Sequence, residues 1–222
     1  MKMKVISFGG SLMYDNNSNF KYAYLKRLKS IFDKTDEKFI FVVGGGKLAR
    51  ELIKRASIID QKEQFLDKIG ILSTKINSLM FEKIFDATFL DFNSFKDDFD
   101  IINDIDNNIV ISGIEPGVTT DYDSVYVAKM IGLNRVYNFT DVDYWYYDFE
   151  TKEPIDSISY DELEEEFELT YEPGMNIPFD PKALKLARKH NIDVFIMNGN
   201  KFKTISDFIL DDKFKGTKIL SN

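Results

Sequence analysis

Three times in this chain an apolar run stops on glycine. "KVISF" runs into Gly9-Gly10-Ser11, "KFIFVV" into Gly44-Gly45-Gly46, and "NNIVISG" into "IEPGVTTD". Apolar runs this short, bounded by turn residues, read as buried strands. The first two are each followed by an amphipathic stretch. After "KFIFVV", the helical segment "KLARELIKRA" presents Lys47 and Arg50 three residues apart. Strands alternating with amphipathic helices are the signature of an α/β domain with a largely parallel sheet. The N-terminal "MKMKVISFGGSL" is therefore read as the first strand. Its apolar run is too short for a secretion signal and is broken by glycines.

The same alternation extends along the chain. Helices are expected around "NFKYAYLKRLKSIF", with Tyr22, Leu25, Leu28 and Phe32 on one buried face, and over "GILSTKINSLMFEKIF", "SVYVAKMIG", "DPKALKLARKHN" and "TISDFIL". Further strands are expected at "RVYNFTDVD" and "DVFIMNGN". "FDATFLDFNSFKDDFDIINDIDNN" reads as an irregular connection, and the acidic "YDELEEEFEL" as a solvated helix face. No repeat or linker-like composition interrupts the pattern, and 222 residues suit one large domain.

Composition excludes several functions. There is no cysteine, hence no disulfide framework, thiolate metal site or cysteine nucleophile, which fits a cytoplasmic protein. A net charge of −8 with scattered Lys and Arg lacks the basic stripe of a nucleic-acid binder. No window is apolar for long enough to span a bilayer. The single histidine, His190, lies in the polar "ARKHN" and reads as a helix C-terminal cap or a solvated side chain.

Taken singly, a glycine turn only eases a strand into a helix. Three of them at strand ends also place backbone N–H groups and helix N-termini at the edge where open α/β sheets bind ligands. Together they read as an elongated phosphate site. "GGGKLAR" has neither the spacing nor the hydroxyl of a G-x-x-x-x-G-K-[ST] loop. The first strand also lacks G-x-G-x-x-G, so neither a P-loop enzyme nor a standard dinucleotide oxidoreductase is supported.

In order and spacing, "ISFGGSL", "VVGGGKLAR", "PGVTTD", "TDVD" and "DPKALKLARKHNIDVFIMNG" resemble the amino acid kinase superfamily and, within it, the archaeal-type uridylate (UMP) kinases. The resemblance covers nearly the whole chain. It implies a three-layer α/β/α sandwich with a mainly parallel sheet. It also implies a single domain over 1–222, with an acceptor side at about 1–115 and a donor side at about 116–222. The implied activity is ATP-dependent phosphorylation of UMP to UDP in pyrimidine nucleotide biosynthesis, with Mg²⁺ carried by ATP, in a cytoplasmic dimer or hexamer without nucleic-acid or membrane partners. The apolar residues of "GILSTKINSLMF" suit either a subunit interface or the core.

Carried over position by position, the resemblance puts Gly45, Asp67, Glu115, Pro116, Gly117, Val118, Thr119 and Thr120 on UMP. It puts Gly9, Gly10, Ser11, Gly46, Thr140, Asp141 and Tyr146 on ATP. Arg50 would lie on the phosphates between the nucleotides, and Asp121 and Asp180 near the transfer zone, orienting cations and the metal. No metal ligand set is assigned. Four positions depart from the pattern: Ser7 stands where many members have lysine, and Asp141, Tyr144 and Phe149 replace Asn, Gly and Asp. Lys182 adds a cation after Asp180-Pro181. Trp145, Tyr146, Tyr147 and Phe149 form either a base-stacking face or an alternating strand. The departures leave two alternatives: a nucleotide- or phosphate-binding relative with impaired transfer, and a kinase of another small phosphorylated acceptor.

Overall fold

The apolar run at the N-terminus forms a strand buried on both faces, and this places it at the middle of a sheet. In the computed structural model, which describes residues 3–95, 97–148, 150–167 and 178–221, this is β1 (Met3–Phe8). It is followed by a single 3-10 turn (Gly10–Met13), α1 (Tyr22–Phe32), β2 (Lys38–Val43), α2 (Gly46–Ala56), α3 (Glu63–Phe85), β3 (Thr88–Leu90), the one-turn helices α4 (Phe92–Phe95) and α5 (Ile101–Asp104), and β4 (Ile109–Ile111). The second half continues with α6 (Thr120–Met130), β5 (Arg135–Thr140), β6 (Trp145–Asp148), β7 (Glu153–Ile155), β8 (Ser157–Ser159), α7 (Tyr160–Glu166), α8 (Pro181–Lys189), β9 (Asp193–Asn198), α9 (Phe202–Asp211) and β10 (Thr217–Leu220).

Eight strands form one sheet in the order β3-β4-β2-β1-β5-β9-β10-β8, and β6 and β7 make a separate hairpin. All pairings from β3 to β9 are parallel, whereas β10 runs antiparallel to β9. The period of two along each strand sorts side chains into two cores. Val5, Ile40, Val42, Val136, Val194 and Ile196 face one layer, built from α6 and α8 with Val125, Ala128, Ala183 and Ala187. Ile6, Phe8, Phe39, Phe41, Phe139 and Met197 face the other, where α1, α3 and α9 contribute Leu25, Leu28, Phe32, Phe81, Phe85 and Phe208. The result is a three-layer α/β/α sandwich. Parallel strands sandwiched in this way are apolar almost throughout, which is why β2 reads as an unbroken hydrophobic run.

Several elements differ from the sequence reading. Tyr22 is 53% exposed, and the buried face of α1 is Leu25, Leu28, Ile31 and Phe32. Tyr22 is the first residue of the helix. Helix α3 starts at Glu63, seven residues before "GILSTK", and its first two turns carry Phe65, Leu66 and Ile69 at helical spacing, all half-buried. The connection expected to be irregular contains β3, α4 and α5, and β3 pairs with β4 at the sheet edge. Strand β5 ends at Thr140, short of "DVD". Helix α7 is solvent-facing, as its acidic sequence indicates. Tyr160 and Leu163 anchor it, and Arg188 on α8 pairs with Asp161 and Glu164. His190 is the C-cap of α8. Among the described residues no helix is long and apolar enough to cross a membrane.

Candidate active site

The glycine turns after β1 and β2 meet at the carboxyl edge of the sheet. Gly44 N–H donates to the Phe8 carbonyl at 3.0 Å, and Gly9 N–H to the Phe139 carbonyl at 2.9 Å. A Cβ added to Gly10 would lie 2.3 Å from Gly44 O and 2.4 Å from Gly46 N. One added to Gly46, whose φ is +54°, would lie 2.2 Å from the Gly10 carbonyl carbon. Two of these glycines thus serve a backbone-to-backbone contact that any side chain would force apart. The triple glycine is therefore more than a bare run of N–H groups: Gly44 and Gly46 lock one strand end against the other.

Helix α2 begins at Gly46, with Gly45 at its N-cap. Beside that N-terminus opens a cleft of about 310 Å³, lined by Gly45, Gly46, Ala49, Arg50, Ile53, Asp67, Gly70, Ile71, Thr74, Gly113, Asp123 and the run Glu115 to Thr120. All eight residues expected on the acceptor lie here, with Arg50 and Gly46 at the helix start. This volume is within the range of small-ligand pockets. Lys47 does not line it, because its ammonium donates to the Asp15 carbonyl. Thr119 caps α6 by accepting the Tyr122 N–H at 3.4 Å. Gly117, at φ +82°, gives the loop a left-handed bend, and Lys182 Nζ donates to its carbonyl at 2.9 Å. Lys182 is thus an exposed clip on this loop.

Behind the cleft sits a carboxylate cluster on α6 and α8. Asp121 Oδ1 accepts the Ser7 hydroxyl at 2.7 Å, and its Oδ2 accepts the Asp180 N–H at 3.2 Å. Asp180 caps α8 through Oδ1, which accepts the N–H groups of Lys182 at 2.6 Å and Ala183 at 3.2 Å. Its Oδ2 is buried and, among the described residues, has no hydrogen-bond partner. Asp123, only 2% exposed, accepts the Ile114 N–H at 3.1 Å. Burial, with a smaller push from the nearby Asp180 charge and against the Ser7 hydrogen bond, raises the Asp121 pKa to about 6. Burial likewise holds Asp123 up at about 8, with Glu115, Asp121 and Asp180 adding repulsion. A carboxyl kept neutral by burial does not repel a phosphate beside it. Asp123 is a site residue that the sequence does not reveal, since a carboxylate two positions after Asp121 reads as an exposed first-turn residue.

The expected donor residues fall in two places. Gly9, Gly10 and Ser11 adjoin the end of β5, where a Cβ on Gly9 would approach Thr140 Cα at 3.8 Å. The Asp141 side chain is exposed, and the Asp141 carbonyl accepts Asn198 Nδ2 at 3.2 Å. Asn198 also donates to Asp143, which pairs with Lys201 at 2.6 Å. Tyr146 lies apart on the β6–β7 hairpin, its ring 6.3 Å from that of Tyr144. In the aromatic run Trp145 is buried, whereas Tyr147 two residues on is 45% exposed and the pairing shifts register between Tyr146 and Asp148, so β6 does not bury one alternating face. Phe149 lies outside the described residues.

Comparison with known proteins gives four results. A model of the amino acid kinase family matches residues 2–198. A uridylate kinase of Archaeoglobus fulgidus is 28% identical over 205 residues, covering 88% of this chain and 90% of that protein. The crystal structure of the Archaeoglobus fulgidus uridylate kinase superposes with a TM-score of 0.75 at 27% identity, over 99% of this chain and 100% of that one. The UMP kinase of Ureaplasma parvum shares the fold at a TM-score of 0.82 and 19% identity, with both chains covered completely.

Proposed function

Since the chain belongs to the amino acid kinase family, we propose that it phosphorylates UMP to UDP at the expense of ATP, a step of pyrimidine nucleotide biosynthesis. One observation carries the assignment. The eight residues expected on the acceptor line a single cleft, which adjoins the locked glycine turns and the Asp121–Asp180 pair. In this reading UMP lies between Gly45, Asp67 and the Glu115–Thr120 loop, with its phosphate toward Arg50 and the start of α2. Gly9, Gly10, Ser11 and Gly46 approach the transferred phosphoryl group, and Thr140, Asp141 and Tyr146 lie on the donor side. The N-terminal part, about 1–115, then holds mostly the acceptor, and the rest mostly the donor.

A UMP phosphate oxygen attacks the γ-phosphorus of ATP. One P–O bond forms, the bond from that phosphorus to the bridging oxygen breaks, and ADP leaves. A dianionic acceptor phosphate has no proton to lose, so the site needs position and charge rather than a base. Arg50 and the first N–H groups of α2 supply positive potential. The orphaned Oδ2 of Asp180 and the adjacent Asp121 carboxylate suit the Mg²⁺ that accompanies ATP, an ion held by one or two carboxylates together with phosphates. Bound there, Mg²⁺ would neutralise phosphate charge. Ser7 donates to Asp121 and fixes that carboxylate's orientation.

The exposed stripe Leu72, Ile76 and Leu79 on α3, with Ile58 and Ile59 in the turn before it, supports assembly with further copies of the chain as a dimer or hexamer. A cytoplasmic setting accords with the absence of cysteine.

A coupled assay across UMP, CMP, AMP and GMP, with ATP or GTP as donor, tests the reading. The expected result is turnover with UMP and ATP above every other pair. Binding of UMP without turnover of any triphosphate would replace transfer with a binding role. Preference for a different acceptor would overturn the assignment of UMP.

A further inference from the structure

Three successive glycines have more backbone freedom than a binding turn can use, so something outside the turn must fix it. Gly10 restrains Gly44 and Gly46 from one side. From the other side comes Asn77, a fully buried residue of α3. Its Nδ2 donates to the Gly44 carbonyl at 2.8 Å and to the Gly45 carbonyl at 3.1 Å. The Tyr14 hydroxyl donates to Asn77 Oδ1 at 2.7 Å, so the amide has one orientation that satisfies both ends. Burial and the nearby Glu51 raise the Tyr14 pKa above its ordinary value, which keeps the phenol a donor.

The carbonyl and N–H of one trans peptide point in opposite directions. Drawing the Gly44 and Gly45 carbonyls toward α3 therefore turns the N–H groups of Gly45 and Gly46 away from it. Among the described residues, neither of those N–H groups has a hydrogen-bond acceptor. Both glycines line the cleft. One turn earlier on α3, Thr74 Oγ1 accepts the Gly113 N–H at 2.8 Å and so holds the wall contributed by β4.

We propose that Asn77, oriented by Tyr14, is the positioning residue that aims the Gly45 and Gly46 N–H groups at the acceptor phosphate. The identity of that acceptor rests on the proposed function, whereas the anchoring of the turn does not. Tyr14→Phe deletes one oxygen and leaves the ring in place. It should raise the UMP dissociation constant, measured by calorimetry, about five- to tenfold, the size of one lost neutral hydrogen bond with its partner left unpaired. KM for UMP should rise to match, with kcat within about threefold. In the ligand-free protein, amide exchange should quicken at Gly44 and Ala49, whose N–H groups bond the Phe8 and Gly45 carbonyls. Exchange in the β1 and β5 cores should stay unchanged. Asn77→Ala should enlarge every effect, and if it does not fold, Tyr14→Phe decides alone. Unchanged exchange at Gly44 and Ala49, or equal acceleration throughout the core, overturns the inference. Failure of the wild-type protein to bind UMP overturns the acceptor instead, and the exchange measurements still decide the role of Asn77.

Discussion

Asp123→Asn tests the electrostatics of the cleft wall. Asp123 is buried and holds its proton to about pH 8, whereas in the unfolded chain it titrates at 3.8. Between these values the folded state binds a proton that the unfolded state has lost. Stability contributed by this group is complete below pH 3.8 and declines as pH rises toward 8. At about 1.4 kcal/mol per pH unit, the loss between pH 5 and pH 8 comes to about 4 kcal/mol. Asparagine keeps an oxygen for the Ile114 N–H and has no proton to lose. Urea unfolding of both proteins at pH 5, 6, 7 and 8 reads this contribution together with its coupling to Glu115, Asp121 and Asp180, because titrating groups that do not interact with Asp123 cancel in the difference. The wild-type protein should lose about 4 kcal/mol more than the variant across this range, with equal m-values. Parallel stability profiles would show that Asp123 is ionised in the folded protein, and the account of a neutral cleft wall would fall.

Three further outcomes are expected. Arg50→Ala should weaken nucleotide binding by about 1.5–3 kcal/mol in calorimetry while leaving the unfolding midpoint nearly unchanged, since Arg50 lines the cleft and not the core. Gly10→Ala places a methyl 2.3 Å from Gly44 O, so the two turns must part. A stability loss of at least about 1–3 kcal/mol in denaturant titration, accompanied by lost activity, is the expected result. Ile76→Asp, in the exposed stripe of α3, should lower the oligomeric state read by light scattering without changing the circular dichroism of the chain.

The alternation of strand and helix was legible from the residues because burial on two faces makes a parallel strand apolar throughout. Glycine at three strand ends marked the edge of the sheet where the cleft lies. The resemblance then named its lining, from Gly45 and Arg50 to Asp67 and the Glu115–Thr120 loop. These features are local in the chain, and a local pattern records local packing. Contacts between distant segments leave no such record. That Gly10 and Gly46 serve each other's backbones depends on β1 and β2 being neighbours in the sheet. That Lys47 turns to Asp15 while Arg50 lines the cleft depends on how the segment after the 3-10 turn crosses α2. Strand β10 forms because it lies between β9, to which it pairs antiparallel, and β8, to which it pairs parallel. Asp123 shows the difference most sharply: the letter D is charged in water, and only the surrounding protein makes it neutral.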